Sequence, residues 1–197
     1  MDDQNPRLLE AARLGDADEV RAALDAGARV EARDEELRSP LLLASLGSHV
    51  RAAQVLVASG ADPNAQDRRH DSAWLVTGVT GSVAMMRVLL PAGHDPTLRN
   101  RFGGISLIPA SERGHVEYVR AVLRETDADV DHVNDLGWTA LLEAVILGDG
   151  GPRHQEIVQL LLAAGAVPGL PDRDGVTALG HAERRGFGEI VTLLRAA

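Results

Sequence analysis

The chain has no cysteine among its 197 residues, and this excludes disulfide staples, thiolate zinc sites, iron–sulfur clusters and a cysteine nucleophile together. It has no lysine either: all 20 cationic side chains are arginine, set against 29 acidic ones for a formal net charge of -9. Nucleic acid calls for a strongly basic domain, so that class of partner is not expected. The arginine bias, with abundant Ala and Gly, is what a GC-rich genome produces and points to a bacterial source. Aromatic residues are scarce, at two Trp, two Phe and one Tyr, so a ring at a surface position calls for a reason. Long apolar runs are missing too. The uncharged stretch from Ser72 to Met86 contains Thr, Ser and two Gly and falls short of the roughly 18 apolar residues of a membrane span. The start, Met1 to Pro6, has neither the basic stretch nor the apolar segment of a secretory signal, so a soluble, cytoplasmic protein is expected.

What remains is 45% hydrophobic and 25% charged, the balance of a chain that folds. The length fits one or two compact domains or a short array of repeats, and a repeat is visible. Gly27-Ala28, Gly60-Ala61, Gly93-His94, Asp127-Ala128 and Gly165-Ala166 recur at separations of 33, 33, 34 and 38, and seven residues after each stands Asp34, Asp67, Asn100, Asn134 or Asp172. Between the markers each segment reads as two short helices. The second carries four apolar residues spaced i, i+1, i+4 and i+5: Ala52, Ala53, Leu56 and Val57; Met85, Met86, Leu89 and Leu90; Tyr118, Val119, Val122 and Leu123; Ile157, Val158, Leu161 and Leu162. That spacing puts each quartet on one helical face. The first helix opens at Ser39-Pro40-Leu41, Ser72-Ala73-Trp74, Thr139-Ala140-Leu141 and Thr177-Ala178-Leu179, where a hydroxyl suits the N-cap and Pro is tolerated in the opening turn. Gly closes the second helix because it adopts the left-handed conformation at low cost.

These segments resemble ankyrin repeats, whose period is about 33 residues and whose signature is T-P-L-H-x-A. Asp135-Leu136-Gly137-Trp138-Thr139-Ala140-Leu141-Leu142-Glu143-Ala144 is similar to that signature, as is Arg173-Asp174-Gly175-Val176-Thr177-Ala178-Leu179. The resemblance implies an all-α solenoid of helix-turn-helix units joined by β-hairpin-like fingers and capped at both ends. It divides the chain into an N-terminal cap, 1–34; repeats at 35–67 and 68–100; an irregular repeat at 101–134; a repeat with an inter-helix insertion at 135–172; and a C-terminal cap, 173–197. Polar residues such as Glu10, Arg13, Asp18 and Arg21 in the first segment, and Arg195 in the last, fit the outer face that terminal repeats need. The family's first-helix His is replaced by Leu42, Leu75, Ile108, Leu142 and Gly180, so apolar contact has to stand in for its hydrogen bonds. The fourth segment, with Ile105-Ser106-Leu107-Ile108-Pro109 in place of the signature, is expected to be the least regular pair. The insertion around Gly148 to Arg153 is expected to be an exposed, flexible loop.

Chemistry is hard to find in this pattern. His49, His115 and His154 stand beside the start of the second helix, where the family itself has His, and His70, His94, His132 and His181 are scattered without the H-x-x-x-H spacing of a zinc site. Asp127-Ala128-Asp129-Val130-Asp131 begins like a calcium loop, but its sixth and twelfth positions are His132 and Trp138 in place of Gly and Glu. Gly148-Asp149-Gly150-Gly151-Pro152 lacks the preceding strand and following G-K-S/T of a phosphate cradle. Ser, His and Asp all occur, yet there is no G-x-S-x-G elbow. Neither an enzyme nor a cofactor or metal is expected.

A protein partner is what the resemblance implies, bound on the concave surface formed by finger tips and first-helix inner faces. By register that surface holds Glu35, Glu36, Arg38 and Leu46; Arg68, Arg69, Asp71 and Thr80; Arg101, Phe102, Glu112 and Arg113; Asp135, Leu136, Trp138, Ile146 and Leu147; and Arg173, Asp174, Arg184 and Arg185. Of these, Arg38, Arg68, Arg69, Arg101, Phe102, Arg113, Asp135, Trp138, Arg173, Arg184 and Arg185 are the candidate contact residues, because Arg and Trp are over-represented among residues that dominate interface energy. Phe102 and Trp138 either serve the partner or pack finger against finger. Arginine outnumbers acid at the third and fourth tips, so an acidic, carboxylate-bearing segment is the sharpest partner expectation. Two other readings stay open: a small-molecule or metal sensor built from Asn100, Arg101, His132, Asn134, Trp138 and Glu143, and an accessory or immunity-type protein for one cognate enzyme. Partner identity and oligomeric state are not encoded in the pattern.

Overall fold

The computed structural model describes residues 4–197; Met1 to Asp3, part of the segment on which the expected absence of a secretory signal rests, lie outside the described residues. The chain divides into two compact units, one reaching to Arg101 and the other spanning Phe102–Ala197. The first holds α1 (Asn5–Leu14), α2 (Ala17–Asp25), α3 (Pro40–Leu46), α4 (Val50–Ala58), α5 (Leu75–Thr80) and α6 (Val83–Leu89), the last running into a 3-10 turn at Leu90–Ala92. The second holds α7 (Leu107–Glu112), α8 (Val116–Glu125), α9 (Ala140–Ile146), α10 (Pro152–Ala163), α11 (Ala178–Arg185) and α12 (Gly188–Ala196). Within each unit the helices form two layers: α1, α3 and α5 pack in series beside α2, α4 and α6, and α7, α9 and α11 pack in series beside α8, α10 and α12. Each pair therefore buries its apolar stripe against its neighbours, as stacked repeats must.

Local chemistry sets the helix starts. The hydroxyls of Ser39, Thr139 and Thr177 accept the backbone N–H three residues on, at 3.1, 3.2 and 3.3 Å, and each opens a first helix. Of the replacements for the signature His, Leu42, Leu75, Ile108 and Leu142 are buried and Gly180 is half-buried, so hydrophobic burial holds the first-helix layer up to the last pair. In the second helices, three members of each apolar quartet are buried and the fourth, Val57, Leu90, Leu123 or Leu162, is half-buried. The irregularity is shared between two pairs. α5 and α7 are each six residues long. Ile105 stands where α7 needs a capping hydroxyl, and Ser106 gives no side-chain cap. The third pair is as irregular as the fourth, because Trp74 lies in the turn before α5 and α6 ends in its 3-10 turn.

The β-hairpin fingers expected between repeats are not formed. Among the described residues there is no strand, only one isolated bridge between Pro171 and Thr177. The reason is length. A turn closed by Ala32 N–H to Arg29 C=O is followed by the single residue Arg33 and then by a second turn opening at Asp34; Gln66, Arg99, Val133 and Pro171 are the equivalent lone spacers. A ladder cannot extend through one residue. The second turn is held instead by its Asp or Asn side chain: Asp34 Oδ1 accepts Glu36 N–H at 2.9 Å and Arg38 N–H at 2.8 Å, and Asp67, Asn134 and Asp172 repeat the pattern. Its fourth residue is left-handed, a conformation filled by Gly137 and Gly175 but also by Leu37 at φ 62° and His70 at φ 59°. Such a φ costs a side-chain-bearing residue about 1–2 kcal/mol, offset in part by the extra unfolded-state entropy of Gly. Leu37→Gly and His70→Gly should therefore each stabilise the chain by about 0.5–1 kcal/mol in urea denaturation; a loss of stability in both would show that these turns are not strained.

The inserted α9–α10 loop is not the free, exposed segment expected from its glycines. Gly148 is buried, and of the inserted residues only Asp149, Pro152 and Arg153 are exposed. His154 Nδ1 meets Asp149 Oδ1 at 2.7 Å, and its Nε2 lies 2.9 Å from the Glu112 carbonyl. The Arg185 guanidinium donates to the Gly148 carbonyl at 3.0 Å and to the Ile146 carbonyl, and stacks 4.7 Å over the Phe187 ring. A Cβ on Gly148 would stand 2.1 Å from the Ala144 carbonyl oxygen. The glycine is there for close packing rather than for flexibility.

Candidate protein-binding surface

In each unit the turns sit at one end of the helix pairs and carry Arg38, Arg68, Arg69, Arg101, Phe102, Asp135, Trp138 and Arg173, whereas Arg113, Arg184 and Arg185 lie at the C-terminal ends of α7 and α11. In the first unit, neighbouring tips are tied together: Arg68 N–H donates to the Glu36 carbonyl at 3.0 Å, and Arg68 Nε to the Glu35 carbonyl at 2.9 Å. Arg68 is thereby oriented while its terminal nitrogens stay at the exposed tip. Arg69 is exposed, with Nε 3.9 Å from an Asp71 carboxylate oxygen, and Arg101 is exposed as well. Burial and the neighbouring Asp67 push the Asp71 carboxyl upward, while Arg69 and Arg101 pull it back. The two arginines therefore act on the same patch. Arg38 differs: half-buried, it commits Nε to Asp34 Oδ2 at 2.7 Å, so it braces its own turn.

The second unit shows a different surface. Phe102 is 46% exposed, Leu136 44% and Leu147 48%, with Trp138 and Ile146 half-buried. The Phe102 carbonyl accepts Asp135 N–H at 2.8 Å, the same tip-to-tip bond as in the first unit. The Asp135 carboxylate occupies the space beside Gly103, where a Cβ would meet it at 2.4 Å. Arg173 donates to the Asp135 carbonyl, repeating the role of Arg68. Arg113 and Arg184 are exposed. Arg185, by contrast, is engaged with the inserted loop.

Beneath these tips lies a contact that sequence spacing only hints at. Glu143 on α9 is 6% exposed, and its Oε1 accepts Asn134 Nδ2 at 2.9 Å. Nine residues again separate Asp172 from His181, which meet at 2.6 Å. Leu43, Val76 and Pro109 hold the same register in the other segments. Burial, with a smaller contribution from Glu112, raises the Glu143 carboxyl to about 7, against which the Asn134 amide pulls only weakly. Asp172 is held low by the Val176 N–H and then by His181.

No group of three or more His, Asp or Glu among the described residues is placed to hold a metal ion. His132 is spent on the Gly103 carbonyl at 2.7 Å, His49 on the Arg13 carbonyl at 3.1 Å, and His94 stacks 3.9 Å from the buried Trp74 ring. Of the sensor residues considered above, the structure joins Asn134 to Glu143 and to the backbone of Trp138, and directs His132 elsewhere. Asn100 and Arg101 belong to the first unit. On the second-helix side, a groove of about 380 Å³ between α2 and α4 is lined by Leu24, Val55, Arg21, Asp25 and Arg51 among others, and its three charged side chains are all exposed. No helix among the described residues is long and apolar enough to cross a membrane.

Comparison with known proteins accords with this geometry. The family model described as ankyrin repeats in three copies matches residues 75–172, and the single ankyrin repeat matches residues 36–68. The chain is 42% identical over 189 residues to the putative ankyrin repeat protein YahD of Escherichia coli K12, covering 96% of this chain and 94% of that one. A crystal structure of an ankyrin repeat domain from Acinetobacter baumannii AYE superimposes with a TM-score of 0.91 at 45% identity over 98% of each chain. The ankyrin repeat domain of Bcl-3, described as a member of the IkappaB family, gives a TM-score of 0.84 at 28% identity, covering 100% of this chain and 88% of that one.

Proposed function

Because the chain belongs to the ankyrin-repeat family, whose fold is a non-catalytic scaffold for protein–protein interaction, we propose that it binds one partner protein through its turn tips and first-helix inner faces. The observation that carries this reading is the arginine patch of the first unit. Arg68 is pre-oriented by the Glu35 carbonyl, and Arg69 and Arg101 both act on Asp71. Exposed arginines at neighbouring tips, two of them acting on the same carboxyl, suit a carboxylate-bearing segment, since Arg forms forked, charge-assisted hydrogen bonds with carboxylates. The exposed Phe102, Leu136 and Leu147 in the second unit supply apolar anchors of the type found at interface centres.

Replacing Arg68, Arg69 and Arg101 together by Glu tests the reading. Partner binding should weaken by at least roughly a hundredfold, because each reversal replaces attraction by like-charge repulsion. The melting temperature should move little, since exposed ion pairs contribute about 0–1 kcal/mol. Affinity capture with the wild-type chain, followed by titration of the captured protein against both chains, gives the comparison. Equal affinity for the two would refute the arginine-tip reading.

A further inference from the structure

We propose that Glu143 is a positioning residue for the tip that carries Leu136 and Trp138, a latch that a single proton closes. The chain of contacts is short. Glu143 Oε1 accepts Asn134 Nδ2 at 2.9 Å. The other end of that amide, Asn134 Oδ1, accepts Leu136 N–H and Trp138 N–H, each at 3.0 Å. Asn134 N–H donates to the Trp138 carbonyl at 3.0 Å, and its carbonyl accepts Gly137 N–H at 2.9 Å. Asn134 is thus the hub of the turn, and both it and Glu143 are buried. Elsewhere the hub is braced by other means: Asp34 by the Arg38 guanidinium and Asp172 by His181. At this tip the brace is a buried carboxyl, and Leu136 and Trp138 of the proposed contact surface hang from it.

The neutral acid can stay buried on Asn134; the carboxylate cannot do so cheaply, because burial penalises charge and no cation is bonded to it. Around α9, the packed elements carry Glu112 on α7, Arg153, His154 and Glu156 on α10, and His181, Glu183, Arg184 and Arg185 on α11, of which Arg153, Glu156, Glu183 and Arg184 are exposed to water. Glu112 acts against ionisation. His154 is turned to Asp149 and Glu112, His181 to Asp172, and Arg185 to the inserted loop. Loss of the proton drives the carboxylate toward water and frees Asn134, loosening the turn. The effect on partner affinity rests on the function proposed above; the effect on the turn does not.

Nuclear magnetic resonance on the full chain without a partner separates the two. The Leu136, Gly137 and Trp138 amides should titrate together with a midpoint about 7. Their exchange protection, corrected for base catalysis, should fall by roughly tenfold above it, as expected for a local opening. Glu143→Gln keeps the acceptor for Asn134 without the charge, so these amides should stay protected and stop titrating. Glu112→Gln, a change at a half-buried site, should lower the midpoint. Amides that do not titrate in the wild-type chain, titration that persists in Glu143→Gln, or an unmoved midpoint in Glu112→Gln would each overturn the latch. Because no partner is present, none of these outcomes bears on the arginine tips.

Discussion

Moving the folded chain from pH 5 to pH 8 should lower its stability, and Glu143→Gln should remove most of that loss. The Glu143 carboxyl lies near its ordinary 4.5 when unfolded and at about 7 when folded, so between those values the folded state holds the extra proton. Its contribution is fully present below the unfolded value and is lost as the pH rises through the folded one. A difference of this size corresponds to about 3 kcal/mol, and this is a ceiling, because opening of the latch lets the carboxylate recover water. At pH 8 the variant should exceed the wild-type chain by up to that amount, a gain of roughly 5–10 °C in melting temperature for a chain of this size. At pH 5 the two should be nearly equal. Asp172 and Asp149 work in the opposite sense: both are held below their ordinary values, Asp172 chiefly by the Val176 N–H and Asp149 chiefly by the Gly151 N–H, so their contribution is lost on acidification through those lowered values. Urea unfolding at a series of pH values gives the profile. Parallel profiles for the wild-type chain and Glu143→Gln would show that the buried carboxyl has no hold on stability.

Truncating Tyr118 to Ala should cost the second unit about 3–5 kcal/mol, the range for a fully buried aromatic side chain. Tyr118 is the largest of the fully buried side chains, at 0% exposure. It lies on α8, which packs against α7 within its own pair and α10 in the next. Removing the ring strips contacts from both sides of that interface and leaves a cavity that the packed helices cannot readily collapse around. Leu123, half-buried on the same helix, offers the contrast: Leu123→Ala should cost less than half as much, because part of its surface already faces water. Thermal unfolding distinguishes them, with a drop on the order of 10 °C for Tyr118→Ala. Equal effects at the two positions would mean that the face of α8 is not packed as described.

The helix pairs were legible because their causes are local. A hydroxyl at Ser39, Thr139 or Thr177 caps the helix that follows it within three residues, and the quartet spacing alone tells Tyr118, Val119 and Val122 from their exposed neighbours. The turns were misread for a physical reason as well. A hairpin and an Asx turn both call for Asp or Asn followed by a left-handed residue, but only the number of residues available for pairing separates them, and here a single spacer such as Arg33 leaves no room for a ladder. Gly148 was misread as slack because glycine permits both flexibility and close approach, and the neighbouring Ala144 carbonyl and His154 ring decide between the two.

The candidate surface divides along the same line. Register along a regular repeat assigned Arg68, Arg69, Arg101, Phe102 and Trp138 to the tips without any knowledge of contacts, because one repeat length returns the chain to the same place. Which of the arginines are spent internally was not readable. Arg38 is committed to Asp34, and Arg185 to carbonyls 37 and 39 residues away, and a guanidinium's partners are set by whatever the fold brings within its reach. The amino-acid order by itself thus determined the family, the helix pairs and the positions of the tips, since all of these follow from periodicity and capping. Tertiary structure alone decided the pinning of the inserted loop and the buried state of Glu143, since each depends on groups distant along the chain that meet only when the helices stack.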